Sequence, residues 1–333
     1  MHTARWWHSL KDGDVRCFLC PRGCRIKIGK SGICRVRYNE AGQLFSLVWG
    51  RPIAVHIDPI EKKPLYHFLP GSRIFSIGTA GCNLRCEFCQ NWDLSTAGGT
   101  TRDGRLVLPS ELIQSVLESQ CESVAFTYNE PTIFGEYVVD IATLARKAGL
   151  KTVMVTNGYI SPEAITDIYP LIDAANIDLK SVNEDFYRKY CQAELRPVLE
   201  GILEIKRHGT FIELTTLLIP GLNDSEAELR KLCDWITGEV GADTPLHFSA
   251  FHPAHKMSDR PATLKAILDR ARDIALRAGL HYVYEGNVIT TTESDTICPA
   301  CGRVLVVRHW QAEIRNSLQG DRCQCGQQIP IVR

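Results

Sequence analysis

Three cysteines within eight residues of one loop constrain this chain more than any other stretch of it. Thr79 to Asn91 reads TAGCNLRCEFCQN, with Cys82, Cys86 and Cys89 in a C-x3-C-x2-C arrangement behind a short apolar run, Ile74 to Ile77. Three thiolates so spaced hold three irons of a four-iron cluster and leave the fourth open, unlike an electron-transfer site, which four cysteines normally close. An open iron is free to chelate a substrate or cosubstrate, so the loop reads as a reactive site. The rival is a structural zinc knuckle, which usually pairs its cysteines as C-x2-C and needs a fourth ligand. No His or Cys follows shortly after Cys89, and the neighbouring Phe88 and Trp92 suit a stacking surface.

A C-x3-C-x2-C loop after a strand resembles the signature of radical S-adenosylmethionine (SAM) enzymes. The wider text, IEKKPLYHFLPGS (Ile60 to Ser72) followed by GTAGCNLRCEFCQNWDLS (Gly78 to Ser95), resembles the AmmeMemoRadiSam-system radical SAM enzymes, relatives of the pyruvate formate-lyase activating enzymes. The resemblance covers about residues 15 to 290, and the cysteine motif is its most specific part.

Composition bounds the rest. Lys plus Arg equals Asp plus Glu at 38 each in 333 residues, so no global field argues for nucleic acid or an anionic membrane as partner. No apolar run approaches the ~18 residues of a membrane span, and the N-terminus has no apolar leader core. Fourteen cysteines is a high count, and eleven fall into three groups; Cys121, Cys191 and Cys233 stand alone. Clustered spacings in a chain this long favour metal over disulfides and a reducing, cytoplasmic setting.

The chain divides into a Cys-rich segment (residues 1–70), a core (71–290) and a C-terminal piece (291–333). In the first, Cys17, Cys20, Cys24 and Cys34 form C-x2-C-x3-C-x9-C in a turn-rich stretch with little core of its own, which a bound metal would stabilise. Zinc, a second iron–sulfur cluster and free thiols all remain open there. Beyond it, Asn39 to Gly42 reads as a turn between two strands. Lys62 and Lys63 read as a solvated face, with a role in shaping the site as the alternative.

From Arg73 onward, short β-rich runs alternate with amphipathic stretches. Strands are expected at 74–77, 123–128, 151–156, 175–179, 211–219, 246–251 and 281–285, with helices between them. Ser161-Pro162 opens one helix with an N-cap and an N1 proline, and Gly149, Gly209 and Gly279 close three others. Such alternation means βα units and a parallel sheet, in either a barrel or an open doubly wound arrangement. The resemblance implies the former: a partial (β/α)6 TIM-like radical SAM barrel, with its chemistry at the C-terminal ends of the strands.

At those ends the resemblance supplies roles. Thr127 to Thr132 (TYNEPT) resembles the family's Gly-Gly-Glu-Pro element, which binds the SAM amino group, and implicates Asn129 and Glu130; Tyr128 and Asn129 replace the two glycines. Asn157, in a T-N-G turn, serves the ribose or caps the turn. Asp178 and Lys180, in a D-x-K element, point the same way because the strand period is two, and suit ribose hydroxyls and the methionine carboxylate. Thr215 stands where the activating enzymes carry an arginine, and His252, in a Y-H-like element, is expected near the adenosine. Cys298, Cys301, Cys323 and Cys325 make two knuckles 21 residues apart, resembling a zinc ribbon.

The resemblance implies a [4Fe-4S] cluster at Cys82, Cys86 and Cys89 and reductive cleavage of SAM. The resulting 5′-deoxyadenosyl radical abstracts hydrogen from a small-molecule, peptide or protein substrate. A glycine of a partner enzyme is the variant target, and an external one-electron reductant of flavodoxin or ferredoxin type is the implied donor. The competing class is a zinc-stapled binding protein without catalysis.

Overall fold

Apolar runs too short for helices, bounded by Gly, Pro and polar turns, become strands of one large sheet, and the amphipathic stretches between them become its crossovers. The computed structural model describes residues 1–98, 105–289, 292–309 and 312–333. The strands are β1 (Ala54–Pro59), β2 (Arg73–Gly78), β3 (Ser123–Phe126), β4 (Lys151–Thr156), β5 (Ala174–Asp178), β6 (Phe211–Leu218), β7 (Leu246–Ala250) and β8 (Val283–Gly286). The helices are α1 (Pro109–Glu118), α2 (Gly135–Lys147), α3 (Pro162–Ile168), α4 (Arg196–Arg207), α5 (Glu226–Trp235) and α6 (Lys265–Arg277). Ser161 caps α3, its hydroxyl accepting from Ala164 N at 3.3 Å. Gly149, Gly209 and Gly279 all adopt the positive φ of a helix-ending residue.

The sheet runs in strict sequence order from β1 to β8. Strands β2 to β8 pair parallel, and β1 lies antiparallel to β2, with Ala54 opposite Gly78. A doubly wound sheet reverses its strand order at a switch point, and this one does not. Among the described residues the parallel strands number seven, as many as the strand runs read from the sequence and one more than the (β/α)6 count that the resemblance implies. Strand β1 also departs from expectation: it belongs to the main sheet, although its sequence lies in the segment read as Cys-rich and separate. Its exposed Val55 and Ile57 do not carry the buried pattern of the inner strands, so the sequence there has no core signal. Strand β3, by contrast, is buried at all four positions, as expected of a parallel strand covered on both faces.

Residues before β1 build two small three-stranded sheets, and the hairpin Arg37–Glu40 to Gln43–Ser46 turns where Asn39 to Gly42 indicated. Buried Arg37 bridges this segment to α2 by gripping Glu136 with two bonds of 3.0 and 2.9 Å. At the other end of the chain a three-stranded antiparallel sheet, Thr296–Ile297, Val304–His309 and Ala312–Asn316, packs around Tyr66, Tyr282 and Tyr284. Among the described residues, no helix is long and apolar enough to cross a membrane.

Candidate active site

The C-terminal ends of the strands surround one cleft, open to solvent. The loop after β2 brings Cys82, Cys86, Phe88 and Cys89 into its wall; the ends of β3, β4 and β5 bring Asn129 and Glu130, Asn157, and Asp178 and Lys180. Residues far apart in sequence thus converge because parallel strands all end on the same side. Of the site residues expected from sequence, His252 does not join this wall. Its strand ends at Ala250, and the exposed ring lies two residues beyond, bonded to Asn287 O at 2.9 Å. Asn287 lines the cleft in its place. Trp92 is also outside, stacked on His255 at 5.5 Å.

The cysteine loop is held by amides. Asn129 accepts from Thr79 N (3.0 Å) through Oδ1 and donates to Gly81 O (2.9 Å) through Nδ2. Asn157 donates to Asn83 Oδ1 (2.9 Å), and Asn83 donates to Tyr159 O (2.7 Å). Ser95 Oγ lies 3.2 Å from Cys89 Sγ. Burial pushes the Cys82 thiol well above its ordinary range, and it raises Cys89 as well. The Cys86 thiol is raised by hydrogen bonding with Cys191 and then by burial. Cys191 stands alone in sequence, yet the bonds from Arg85 N to Cys191 O (3.0 Å) and Glu87 N to Tyr190 O (2.9 Å) dock it on the loop. Three thiols that would remain protonated in the bare protein suit a site completed by cationic iron, since the thiolate is the ligand form.

Glu130 is buried and serves the protein in three bonds, from Thr132 N (2.9 Å), Thr156 Oγ1 (2.7 Å) and Asn157 N (2.8 Å). Burial nonetheless raises its pKa, and a fixed cation at the cleft would favour its charged form. Lys180 Nζ meets Asp178 at 2.9 Å, in the same-face relation that the D-x-K spacing implies, and stands over the Phe88 ring at 5.8 Å. Burial works against the Lys180 charge, but the Asp178 carboxylate outweighs it and holds the pKa well above normal.

Several cleft residues had no sequence role or only a secondary one. Tyr128 adopts φ +71°, a glycine-like conformation, so the chain keeps the turn although two glycines are missing. Its hydroxyl donates to Asp58 at 2.7 Å. Asp58 also receives Lys62 (2.8 Å) and Lys63 (2.7 Å); burial disfavours its charge, but these three bonds prevail and keep its pKa well below the carboxylate range. Lys63 is buried and packs on the Tyr128 ring at 4.5 Å, so it is a support of the turn and not a solvated face. Thr215 lines the cleft with its buried hydroxyl unpartnered. A buried, unsatisfied polar atom in a cleft fits a site meant to receive a polar ligand.

The Radical SAM superfamily matches residues 76–233. The chain carries a radical SAM domain. Over its whole length it is 41% identical to an uncharacterised protein of Methanocaldococcus jannaschii, covering 100% of both chains. It is 26% identical to the pyruvate formate-lyase-activating enzyme of Clostridium pasteurianum over 47% of this chain and 66% of that one. In fold it is similar to a radical SAM methyltransferase from Sphaerobacter thermophilus, with a TM-score of 0.50 and 16% identity over 71% of each chain. A radical SAM domain implies a [4Fe-4S] cluster and SAM, and supports SAM-dependent radical chemistry.

Eight of the remaining cysteines form two groups. Cys298, Cys301, Cys323 and Cys325 hold their sulfurs within 4.8 Å of one another, a geometry able to bind one metal ion. Cys17, Cys20, Cys24 and Cys34 line a separate pocket.

Proposed function

We propose that this chain cleaves SAM reductively at Cys82, Cys86 and Cys89 and uses the product to take hydrogen from a small-molecule or peptide substrate. The observation that carries this reading is the single cleft lined by those cysteines together with Glu130, Asn157, Asp178 and Lys180 from successive strand ends. When bound, the cluster and SAM supply a 5′-deoxyadenosyl radical by one-electron cleavage.

The protein's own contribution is positioning. Cys82, Cys86 and Cys89 would hold three irons of the cluster, and Asn129 and Asn157 brace the loop that carries them. Lys180 attracts the methionine carboxylate, with Thr215 free to donate a second bond to it. Asp178 suits the ribose hydroxyls, Glu130 the ammonium, and Phe88 closes the wall. The sequential strand order supports a partial barrel around this cleft. At the C-terminal group, sulfur separations of 3.6 and 3.7 Å fit four thiolates on one zinc with Zn–S of about 2.3 Å. A cytoplasmic setting and a flavodoxin- or ferredoxin-type donor complete the reading.

The likeness to pyruvate formate-lyase-activating enzymes favours a second reading, hydrogen abstraction from a protein glycine. Anaerobic reconstitution with iron and sulfide tests the shared chemistry: a brown protein that releases 5′-deoxyadenosine from SAM under dithionite is expected. A colourless zinc protein without cleavage would sink both readings and leave a metal-stapled binding protein. Deuterium transfer into 5′-deoxyadenosine from labelled candidate partners or lysate fractions separates the two substrates.

A further inference from the structure

Cys17, Cys20, Cys24 and Cys34 line one small pocket, together with Arg22 and Asn83. Two observations bear on what this pocket holds. The first is spacing. The C-terminal cysteines draw all four sulfurs within 4.8 Å, as thiolates around a single ion must. Among the described residues, no other three His, Cys, Asp or Glu ligand atoms gather so closely. The N-terminal four therefore share a pocket without the spacing of a one-ion site. Thiolates bound to separate irons of a cluster stand further apart than thiolates sharing one ion.

The second observation is a pair of buried donors. Arg37 lines the pocket at 2% exposure, and its Nε has no partner although its terminal nitrogens grip Glu136. Arg22 also lines the pocket, with Nη2 buried and unpartnered. Buried N–H groups without acceptors are rare. The sulfides and thiolates of an anionic cluster supply acceptors of the kind these donors lack.

The pocket adjoins the catalytic loop. Arg22 Nε donates to Asn83 O at 3.0 Å, and Arg85 donates to Ile33 O. Gly81, the residue before Cys82, sits at φ +93°, where a Cβ would lie 2.6 Å from Cys34 O. The residue before Cys82 thus packs closely against the Cys34 carbonyl of the other cysteine loop.

We propose that Cys17, Cys20, Cys24 and Cys34 hold a second iron–sulfur cluster, and that a one-electron donor of the flavodoxin or ferredoxin class reduces the catalytic site through it. The donor is oxidised by one electron as the N-terminal cluster is reduced. That cluster returns to its oxidised state when the electron crosses the Gly81–Cys34 contact, and no covalent bond forms or breaks. The relay rests on the radical SAM reading above; the identity of the metal does not.

The test uses the full chain carrying Cys82→Ala, Cys86→Ala and Cys89→Ala, reconstituted anaerobically with iron and sulfide and then desalted. About four iron and four sulfide per chain are expected, with the electron paramagnetic resonance signal of a reduced cluster. An iron-free chain with about two zinc overturns the proposal. Should the triple variant not fold, the wild-type chain decides: about eight irons support the second cluster, and about four overturn it. For the relay, the fully reduced wild type is expected to show magnetic splitting that the triple variant lacks. A wild-type spectrum equal to the sum of two isolated clusters overturns the contact. These readouts are independent of 5′-deoxyadenosine release, so failure of the catalytic reading is scored separately.

Discussion

Glu213 and Thr215 sit two residues apart on β6, and His247 and Ser249 repeat the relation on β7. Side chains two apart on a strand share a face, yet the two members of each pair meet different surroundings. Glu213 accepts from Tyr66 N (3.0 Å), His67 N (2.7 Å) and His247 Nε2 (2.7 Å). His67 in turn meets Tyr284 (2.5 Å) and Pro330 O (2.9 Å), and Arg308 of the C-terminal sheet donates to Tyr66 O. At the opposite end, Thr215 and Ser249 line the cleft, and the Thr215 hydroxyl is without a partner. One end of the sheet is a polar network centred on Glu213 that secures the C-terminal piece; at the other, the Thr215 hydroxyl faces the cleft without a partner. Buried polarity is structural where the protein completes it and functional where it does not.

The sharpest way to break this contrast is at the open end. Cys86→Ala is expected to lower reductive SAM cleavage by about 10⁴-fold, on the order of 5 kcal/mol, with an unchanged circular dichroism spectrum. An unfolded variant would move Cys86 to the structural side of the comparison. At the closed end, Glu213→Ala strands His247 and two backbone N–H groups, and should cost about 3–5 kcal/mol in urea unfolding. Should the loss be under about 1 kcal/mol, the network is not what stabilises that end.

The closed end should also carry a pH signature. Burial holds His67 down from 6.5 to about 4, so between these values the unfolded chain binds more protons than the native one. Stability is then expected to rise with pH across that window, by up to about 3 kcal/mol, and to gain nothing further from His67 above it. Comparing denaturant midpoints of wild type and His67→Gln over pH 4.5–7.5 checks the slope, which the variant should flatten. The smallest effect belongs to Lys180→Ala. Loss of one charge-assisted bond, about 1.5–3 kcal/mol, should raise the KM for SAM about 10- to 100-fold while leaving the unfolding midpoint within a few degrees. A large fall in stability with no change in KM would assign Lys180 to the scaffold.

Periodicity and breakers made most strands and helices of the core legible, because each depends on local patterning and on caps such as Ser161 and Gly149. The edge strand β1 was not, since its exposed apolar residues carry no signal of the sheet that they join. The cysteine motif and the D-x-K pair were legible for a similar local reason: eight residues of loop, or two of strand, set their own geometry. Lys63 and Tyr128 were harder to read. Their partner Asp58 lies on another strand, and only that contact turns a basic pair and a non-glycine turn into one support. The place of His252, bonded to the cleft residue Asn287, was not legible because a position just past a strand fixes no side-chain direction.

The sequence by itself determined that three thiols would share one loop at the end of a parallel strand, with a carboxylate, an amide and an acid–base pair at the ends that follow. Local chemistry and the two-residue strand period suffice for that. Only the tertiary structure decided which buried charges are completed and which face the cleft, that Cys191 docks on Cys86, and that the Cys34 loop touches Gly81. Those relations join residues tens to hundreds of positions apart, and packing of the whole chain, not spacing along it, brings them within bonding distance.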